Sequence, residues 1–522
     1  MNRLKRFAAN AAIMGGVSIF MRIISVTFNA YAANAVGAEG IGVYSLITSV
    51  YVFAVTLATS GINLAVTRLV SEELAHGNER GAVACVRKCV TYSLIFGFSA
   101  ALLMFFFARP IGEHILGDER TVLSLKALSV SLPFIALSNV LAGYFNAVRR
   151  ISKSASASVT EQFVKIGITV LLLQMIGPRS VEYSCLALVL GTSISEGLSF
   201  IYLALFYFYD KKKHLGNKKG SVPHGLTSRM LHISLPIAAS AYLRSALVTV
   251  EHILIPYGLR RSGAAQSEAL ASYGTIHGMV FPLIFFPSAV SATFASLIVP
   301  ELSELCAKYA RRDAHHIKYI VSRAITLTVM FGTLCAGVFI LFSDSLGILV
   351  YKSAEAAKYI GIFAVLIPLM YLDTTVDGML KGLNEQLSSM KYNIIDAALS
   401  VFLVYTLLPK MGIGGYVVCV FITELVNDVL SLARLIKVTG VKIKIWRTVF
   451  CPLFSVVGAG TVTNLLLRSL PFTFHSLLVE TVCGILVLAV IYVAFLGAFG
   501  GIGVQDVEWV KSIFSKKESA CA

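Results

Sequence analysis

Stretches of about 20 apolar residues recur along the whole of this 522-residue chain, and each is long enough to cross roughly 30 Å of hydrocarbon as a helix. Alternation with a period of two is absent, and the runs are too long for tilted strands, which argues against a transmembrane barrel. The fold class expected is therefore an all-α polytopic membrane protein. Composition agrees: 57% of residues are hydrophobic, 14% are charged and the mean hydropathy is +0.78.

About fourteen spans are predicted. Six lie near 11–33, 41–66, 90–108, 122–147, 158–176 and 183–209, and six more near 231–257, 270–299, 320–342, 357–381, 392–408 and 412–435. A final pair lies near 449–470 and 477–499. Ala33-Asn34-Ala35 resembles a leader-cleavage site, but the run from Phe7 to Tyr31 is longer than a leader core and Arg22 interrupts it, so an uncleaved first span is expected.

The formal charge of +16 would suggest nucleic acid as a partner in a soluble protein. Position argues otherwise. The basic residues sit in short loops such as "DKKKHLGNKKG" (210–220), "AKYARRDAHHIKY" (307–319) and "KVTGVKIKIWR" (437–447). Termini and even-numbered loops carry roughly 31 Lys and Arg, against about 9 in odd-numbered loops. This bias places both ends in the cytoplasm and the chain in the cell membrane. Nine scattered cysteines show no C-x-x-C and no metal spacing.

The chain also repeats itself. "AVTRLVSEELAHGNERG" (65–81) resembles "LIVPELSELCAKYARRDA" (297–314), aligning Ser71 with Ser303. "GYFNAVRRISKSASASVTEQ" (143–162) falls on "GMLKGLNEQLSSMKYNIIDA" (378–397), placing Glu161 over Asp396, and "GGVSIFMR" (15–22) falls on "IAASAYLR" (237–244), placing Arg22 over Arg244. Each copy holds six spans, an even number, so the two enter the membrane in the same orientation. The expected organisation is an N-lobe over 1–222, a C-lobe over 223–440, and two further helices with a cytoplasmic tail over 441–522.

Residues 21–73, "LAGYFNAVR" with "TEQFVK", and "DGMLKGLNEQ" (377–386) resemble the oligosaccharide-lipid flippases of the multidrug/oligosaccharidyl-lipid/polysaccharide exporter (MOP) superfamily, over nearly the whole chain. That resemblance implies two six-helix lobes in a V, like those of MurJ and the MATE transporters. It also implies translocation of an undecaprenyl-pyrophosphate-linked sugar, the peptidoglycan precursor lipid II first among them, in an endospore-forming bacterium. Cell-wall synthesis proteins would be its natural partners.

Arg22 lies too far from the helix end to snorkel, and a charge at mid-span costs at least about 2.5 to 3.5 kcal/mol, so it should face a cavity or a partner. Ser18, Arg22, Ser25 and Asn29 share one helix face with Gly15. The repeat places Arg244 at comparable depth, opposite Arg22 across the lobes, and two guanidiniums suit a diphosphate through bidentate hydrogen bonds. Glu251 lies seven residues from Arg244 on the same face, too far for direct pairing without a bend.

Glu161 and Lys165 are expected to form a self-contained i,i+4 pair. Asp373 with Asp377, and Glu424 with Asp428, are like-charged i,i+4 pairs and candidates for Na⁺ or H⁺ coupling, with plain solvation favoured for Asp377 and Asp428; Glu196 is unpaired by sequence. His277 is read as a packing histidine. Pro282, Pro287, Pro236 and Pro368 are expected to kink their helices. No P-loop, H-E-x-x-H, G-x-S-x-G or DxD-like site is present and the loops are short, so an enzyme acting on lipid-linked sugars is the less favoured class. Efflux of drugs or metabolites on the same fold is the rival within transporters.

Overall fold

In the computed structural model, which describes residues 3–59, 61–177, 180–214, 220–308, 314–469 and 476–503, the regular elements are helices. Among the described residues ten helices are long and apolar enough to cross a membrane, rising to thirteen when three bent pairs are each counted as one span. The chain is a multi-pass membrane protein. The difference from fourteen falls at the start, where one 57-residue element, α1 (Arg3–Thr59), covers the first predicted span and most of the second, and the whole stretch Phe20–Ala75 counts as one. Gly37 interrupts it with φ 81° and ψ 167°, a backbone conformation that residues other than glycine rarely reach.

Internal packing divides the chain into two compact units, one of Tyr31–Gly274 with Val401–Gly412, the other of Met1–Ala30, Thr275–Ser400 and Ile413–Ala522. The first contains the latter part of α1, α2 (Ile62–Ala75), α3 (Glu79–Pro110), α4 (Thr121–Ser129), α5 (Leu132–Ala147), α6 (Ile151–Met175), α7 (Val181–His214), α8 (Leu226–Arg261) and α9 (Gln266–Gly274). Its core gathers Ile62, Val66, Leu69, Val140, Tyr144 and Phe145. Helix α8 is laced antiparallel to α1: Tyr242 Oη donates to the Leu57 carbonyl at 3.2 Å, Ser245 Oγ to Thr56 Oγ1 at 3.3 Å and Thr249 Oγ1 to the Ser49 carbonyl at 3.2 Å. Gly42 and Gly274 meet backbone to backbone, because a side chain on either would run into the other helix.

The second unit holds α10 (Phe281–Ile284), α11 (Ser288–Lys308), α12 (Ala314–Leu341), α13 (Ser343–Tyr351), α14 (Ala354–Ala364), α15 (Ile367–Gly382), most of α16 (Gln386–Met411), and α17 (Ile413–Thr439). Its last two helices, α18 (Cys451–Ser469) and α19 (Leu477–Ala498), close a separate cluster with Met330 and Phe342 of this unit, tied by Tyr492 Oη donating to the Met330 carbonyl at 2.8 Å.

The repeat is visible in local detail. Ser71 Oγ donates to the Ala147 carbonyl at 3.4 Å and Ser303 Oγ to the Gly382 carbonyl at 3.1 Å, the same bond at aligned positions. Both following turns use a left-handed residue, Arg149 (φ 58°) and Asn384 (φ 62°). The bends recur as well, 42° between α4 and α5 and 59° between α14 and α15, each with a proline, Pro133 or Pro368, opening the second helix. A glycine on the neighbouring helix makes room for each: a Cβ on Gly97 would sit 3.1 Å from Pro133 Cα, and one on Gly332 would sit 2.7 Å from Pro368 Cα. Pro282 and Pro287 accompany a 54° bend between 266–284 and 288–296. Pro236 lies inside α8, which runs on through it from Leu226 to Arg261.

The charged residue after each of those turns closes an ion pair, but with opposite sign. Arg150 pairs with the buried Asp210, which also accepts from Tyr144 Oη at 2.8 Å and Lys153 Nζ at 3.2 Å. Glu385 instead accepts two bonds of 2.8 Å from Arg434. The Ser388 hydroxyl and the Arg434 guanidinium hold the Glu385 carboxyl below its usual range. Its stabilisation is therefore present at neutral pH and fades as the pH drops through the depressed value. Glu385→Gln should cost about 1 kcal/mol at pH 7, and thermal melts of variant and wild type should converge once the pH has fallen below the depressed value.

Candidate functional site

Arg22 is exposed and sits about 28 Å along α1 from Arg3, well away from that end. Its Nη2 donates to the Phe285 carbonyl at 3.3 Å, in the same unit. Phe285 lies where α10 gives way to α11 next to Pro287, and such a break frees carbonyls that need outside donors. Tyr371 Oη supplies the neighbouring Ile284 carbonyl at 2.7 Å, and Ser288 Oγ reaches Phe285 at 2.6 Å. One of five guanidinium donors is thus committed, and no carboxylate is paired with Arg22 among the described residues.

Arg244 is the central residue of α8, with about 25 Å of helix on either side, and is likewise exposed. The stitching residues Tyr242, Ser245 and Thr249 face α1, and Arg244 has no ion-pair partner among the described residues. Glu251 stands within electrostatic reach of Tyr273, whose hydroxyl meets His252 Nδ1 at 2.8 Å. Ser25 donates to the Met21 carbonyl of its own helix at 2.8 Å, and Asn29 is half-buried. The side chain of Ser18 lies outside the described residues. Arg22, Ser25 and Asn29 fall in one unit, Arg244 and Glu251 in the other.

The acids are arranged differently from their spacing. Asp373 and Asp377 diverge: Asp373 Oδ1 accepts from Asn427 at 2.9 Å, while Asp377 accepts from Ser389 Oγ at 2.6 Å and Asn393 Nδ2 at 3.3 Å. Glu424 lies within electrostatic reach of Asp373 and Asp396. Solvation does not describe Asp428, which is only 6% exposed and keeps an unpartnered Oδ2 beside Glu424 and Asp373. Glu161 and Lys165 do not form a private pair either, since Glu161 faces Ser199 and both act electrostatically on Glu196. Among the described residues no group of three His, Cys, Asp or Glu is arranged to hold a metal ion. His277 packs as expected, its Nε2 2.8 Å from Tyr416 Oη and its ring edge-on to Phe281.

Sequence reading missed the symmetry of these acids. Glu161 with Glu196 joins α6 to α7, and the aligned Asp396 with Glu424 joins α16 to α17. The matching triplets Ile194-Ser195-Glu196 and Ile422-Thr423-Glu424 carry the signal, though one short triplet in an apolar helix is easily passed over.

Residues 7–294 match the family described as polysaccharide biosynthesis protein. The chain is 26% identical over 447 residues to stage V sporulation protein B of Bacillus subtilis (strain 168), covering 84% of this chain and 85% of that protein. It is 23% identical over 478 residues to the probable low-salt glycan biosynthesis flippase Agl15 of Haloferax volcanii, covering 91% and 89%. Its fold resembles that of the lipid II flippase MurJ in an inward closed conformation, with a TM-score of 0.69 at 14% identity over 93% of this chain and 98% of that one. An inward-facing MATE multidrug transporter of the MOP superfamily matches with a TM-score of 0.62 at 14% identity, over 82% and 99%. With a family match across more than half its length, this chain belongs to the polysaccharide biosynthesis protein family.

Proposed function

We propose that this protein is a flippase that carries an undecaprenyl-pyrophosphate-linked oligosaccharide, lipid II for spore cortex or wall synthesis, across a bacterial cytoplasmic membrane by alternating access. The observation that carries this reading is a pair of exposed mid-span guanidiniums, Arg22 and Arg244, at aligned positions of the two repeats and without carboxylate partners among the described residues. An unpaired charge at that depth is costly unless water or an anionic ligand meets it. Arginine suits the ligand because its planar fork binds phosphate oxygens two at a time. In this reading the N-lobe (1–222) and C-lobe (223–440) alternate around the head group, the prenyl tail stays in lipid, and both termini are cytoplasmic.

The paired acids, Glu161 with Glu196 and Asp396 with Glu424, are where a coupling proton would reside, with Asp373 extending the second pair and Asp377 serving the α15–α16 junction. Sporulation- and glycan-related names among the relatives support the substrate class. The two exposed mid-span guanidiniums favour an anion over the organic cations of a drug exporter, since the mid-span carboxylates are half-buried and grouped with one another.

The test is a proteoliposome assay with labelled lipid II and a cationic drug, run with and without Na⁺ and H⁺ gradients. Lipid II should cross unaltered and the drug should not. Drug transport without lipid movement would overturn the reading, and chemical change of the lipid would point to an enzyme.

A further inference from the structure

A second basic feature lies at the end of the spans rather than within them. A cavity of about 470 Å³ opens in the second unit between the start of α12 and the chain that links α17 to α18. His315, Lys318, Arg323, Lys442, Lys444 and Arg447 line it, and among the described residues no Asp or Glu does. Its construction follows from the sequence. Gly440, at φ 64°, follows the end of α17 and starts a non-helical segment in which buried and exposed side chains alternate. Val441 and Ile443 pack into the core with Ile320 and Leu435, which leaves Lys442 and Lys444 on the other side, toward the cavity. A Cβ on Gly440 would come 3.3 Å from Lys318 Nζ, so the glycine leaves room for that ammonium. Arg323 is only 9% exposed and lies over the Tyr319 ring at 4.7 Å, forming the floor.

Two membrane spans begin at this rim, His315–Leu341 and Trp446–Ser469. Trp446 is 58% exposed and adjoins Phe450 and Phe454, the kind of aromatic group that settles at head-group depth. Lys318, Lys442 and Lys444 converge on this cavity and have no ion-pair partner among the described residues, so their ammoniums repel one another. An anion offsets that repulsion, and at this depth the anion in supply is a phosphate diester.

We propose that this cavity binds a phosphate group, that of an anionic phospholipid in the adjoining leaflet. The Lys442 and Lys444 ammoniums and Lys318 make charge-assisted hydrogen bonds to the phosphate oxygens, and the acyl chains lie against the exposed Phe450, Leu453 and Phe454 of the neighbouring span. This site is independent of Arg22 and Arg244 and of any transported substrate.

The test uses the full chain in nanodiscs of phosphatidylcholine containing a minor share of phosphatidylglycerol, with co-purifying lipid counted by mass spectrometry. The wild type should enrich phosphatidylglycerol, and Lys318→Gln/Lys442→Gln/Lys444→Gln should lower that enrichment about tenfold. Lys211→Gln/Lys212→Gln/Lys213→Gln removes the same charge elsewhere and should leave it unchanged. Equal loss in both variants would mean diffuse charge attraction and overturn the proposal. Should the triple variant not fold, Lys442→Gln/Lys444→Gln, at two exposed positions, carries the comparison. A second arm adds inorganic phosphate to discs of phosphatidylcholine alone. Thermal stabilisation of wild type but not of the triple variant would support the phosphate site while assigning its ligand to water. The absence of both enrichment and stabilisation would overturn it.

Discussion

Arg22→Ala should cut lipid II translocation in proteoliposomes by about tenfold to a hundredfold, the range expected when a hydrogen-bonded contact to a charged group worth about 1.5 to 3 kcal/mol is removed. The structure gives this arginine a competing role, since its Nη2 also serves the Phe285 carbonyl at the helix break. Arg22→Lys separates the two. A lysine ammonium can reach a carbonyl, so stability should stay near the wild-type level, but it is a point charge and should not restore full translocation. Arg244→Ala has no such carbonyl contact among the described residues and should lose transport with little change in thermal stability. Transport at wild-type rates in either alanine variant would remove the guanidinium from the head-group site.

Gly274→Ala should be among the most destabilising single substitutions in the chain. Its added methyl would enter the space of the Ala38 carbonyl and the Gly42 backbone, and backbone cannot rotate aside as a side chain can. A loss of about 3 kcal/mol is expected, seen as a Tm lowered by about 5 to 10 °C in a fluorescence-detected melt. Gly167→Ala is the matched control, because nothing lies within 4 Å of its Cβ position, and there the substitution should be neutral or slightly stabilising. Similar melts for the two variants would mean that α1 and α9 are not held at backbone contact.

Helical class and the duplication were legible because both rest on patterns many residues long. Hydrophobic runs report spans, and the alignments of Ser71 with Ser303 and of Gly143 with Gly378 put in register the serine bonds and turns that the structure displays. What resisted reading depends on rotation about a helix axis and on neighbours distant in sequence. Asp428 looked solvated because of its place near a helix end, yet it points inward beside Glu424 and Asp373. Asp377 seemed a partner of Asp373, yet the two diverge because Ser389 and Asn393 on the next helix offer Asp377 better donors. Pro368 sits at a break between helices, whereas Pro236 lies within a continuous helix, and residue identity alone does not separate these outcomes. The basic cavity escaped notice because its wall is assembled from two distant segments, 315–326 and 440–447, whose charges each look like those of an ordinary loop.

Duplicated halves invite exchange during assembly, since a hairpin from one could dock in the other. The reversed polarity at Arg150 with Asp210 and at Glu385 with Arg434 opposes this. A first-half hairpin seated in the second would set one cation against another, and the reciprocal error would bring two carboxylates together. The inversion thus gives each half a recognition mark of its own, letting similar helices find the right neighbours while the membrane is still being crossed.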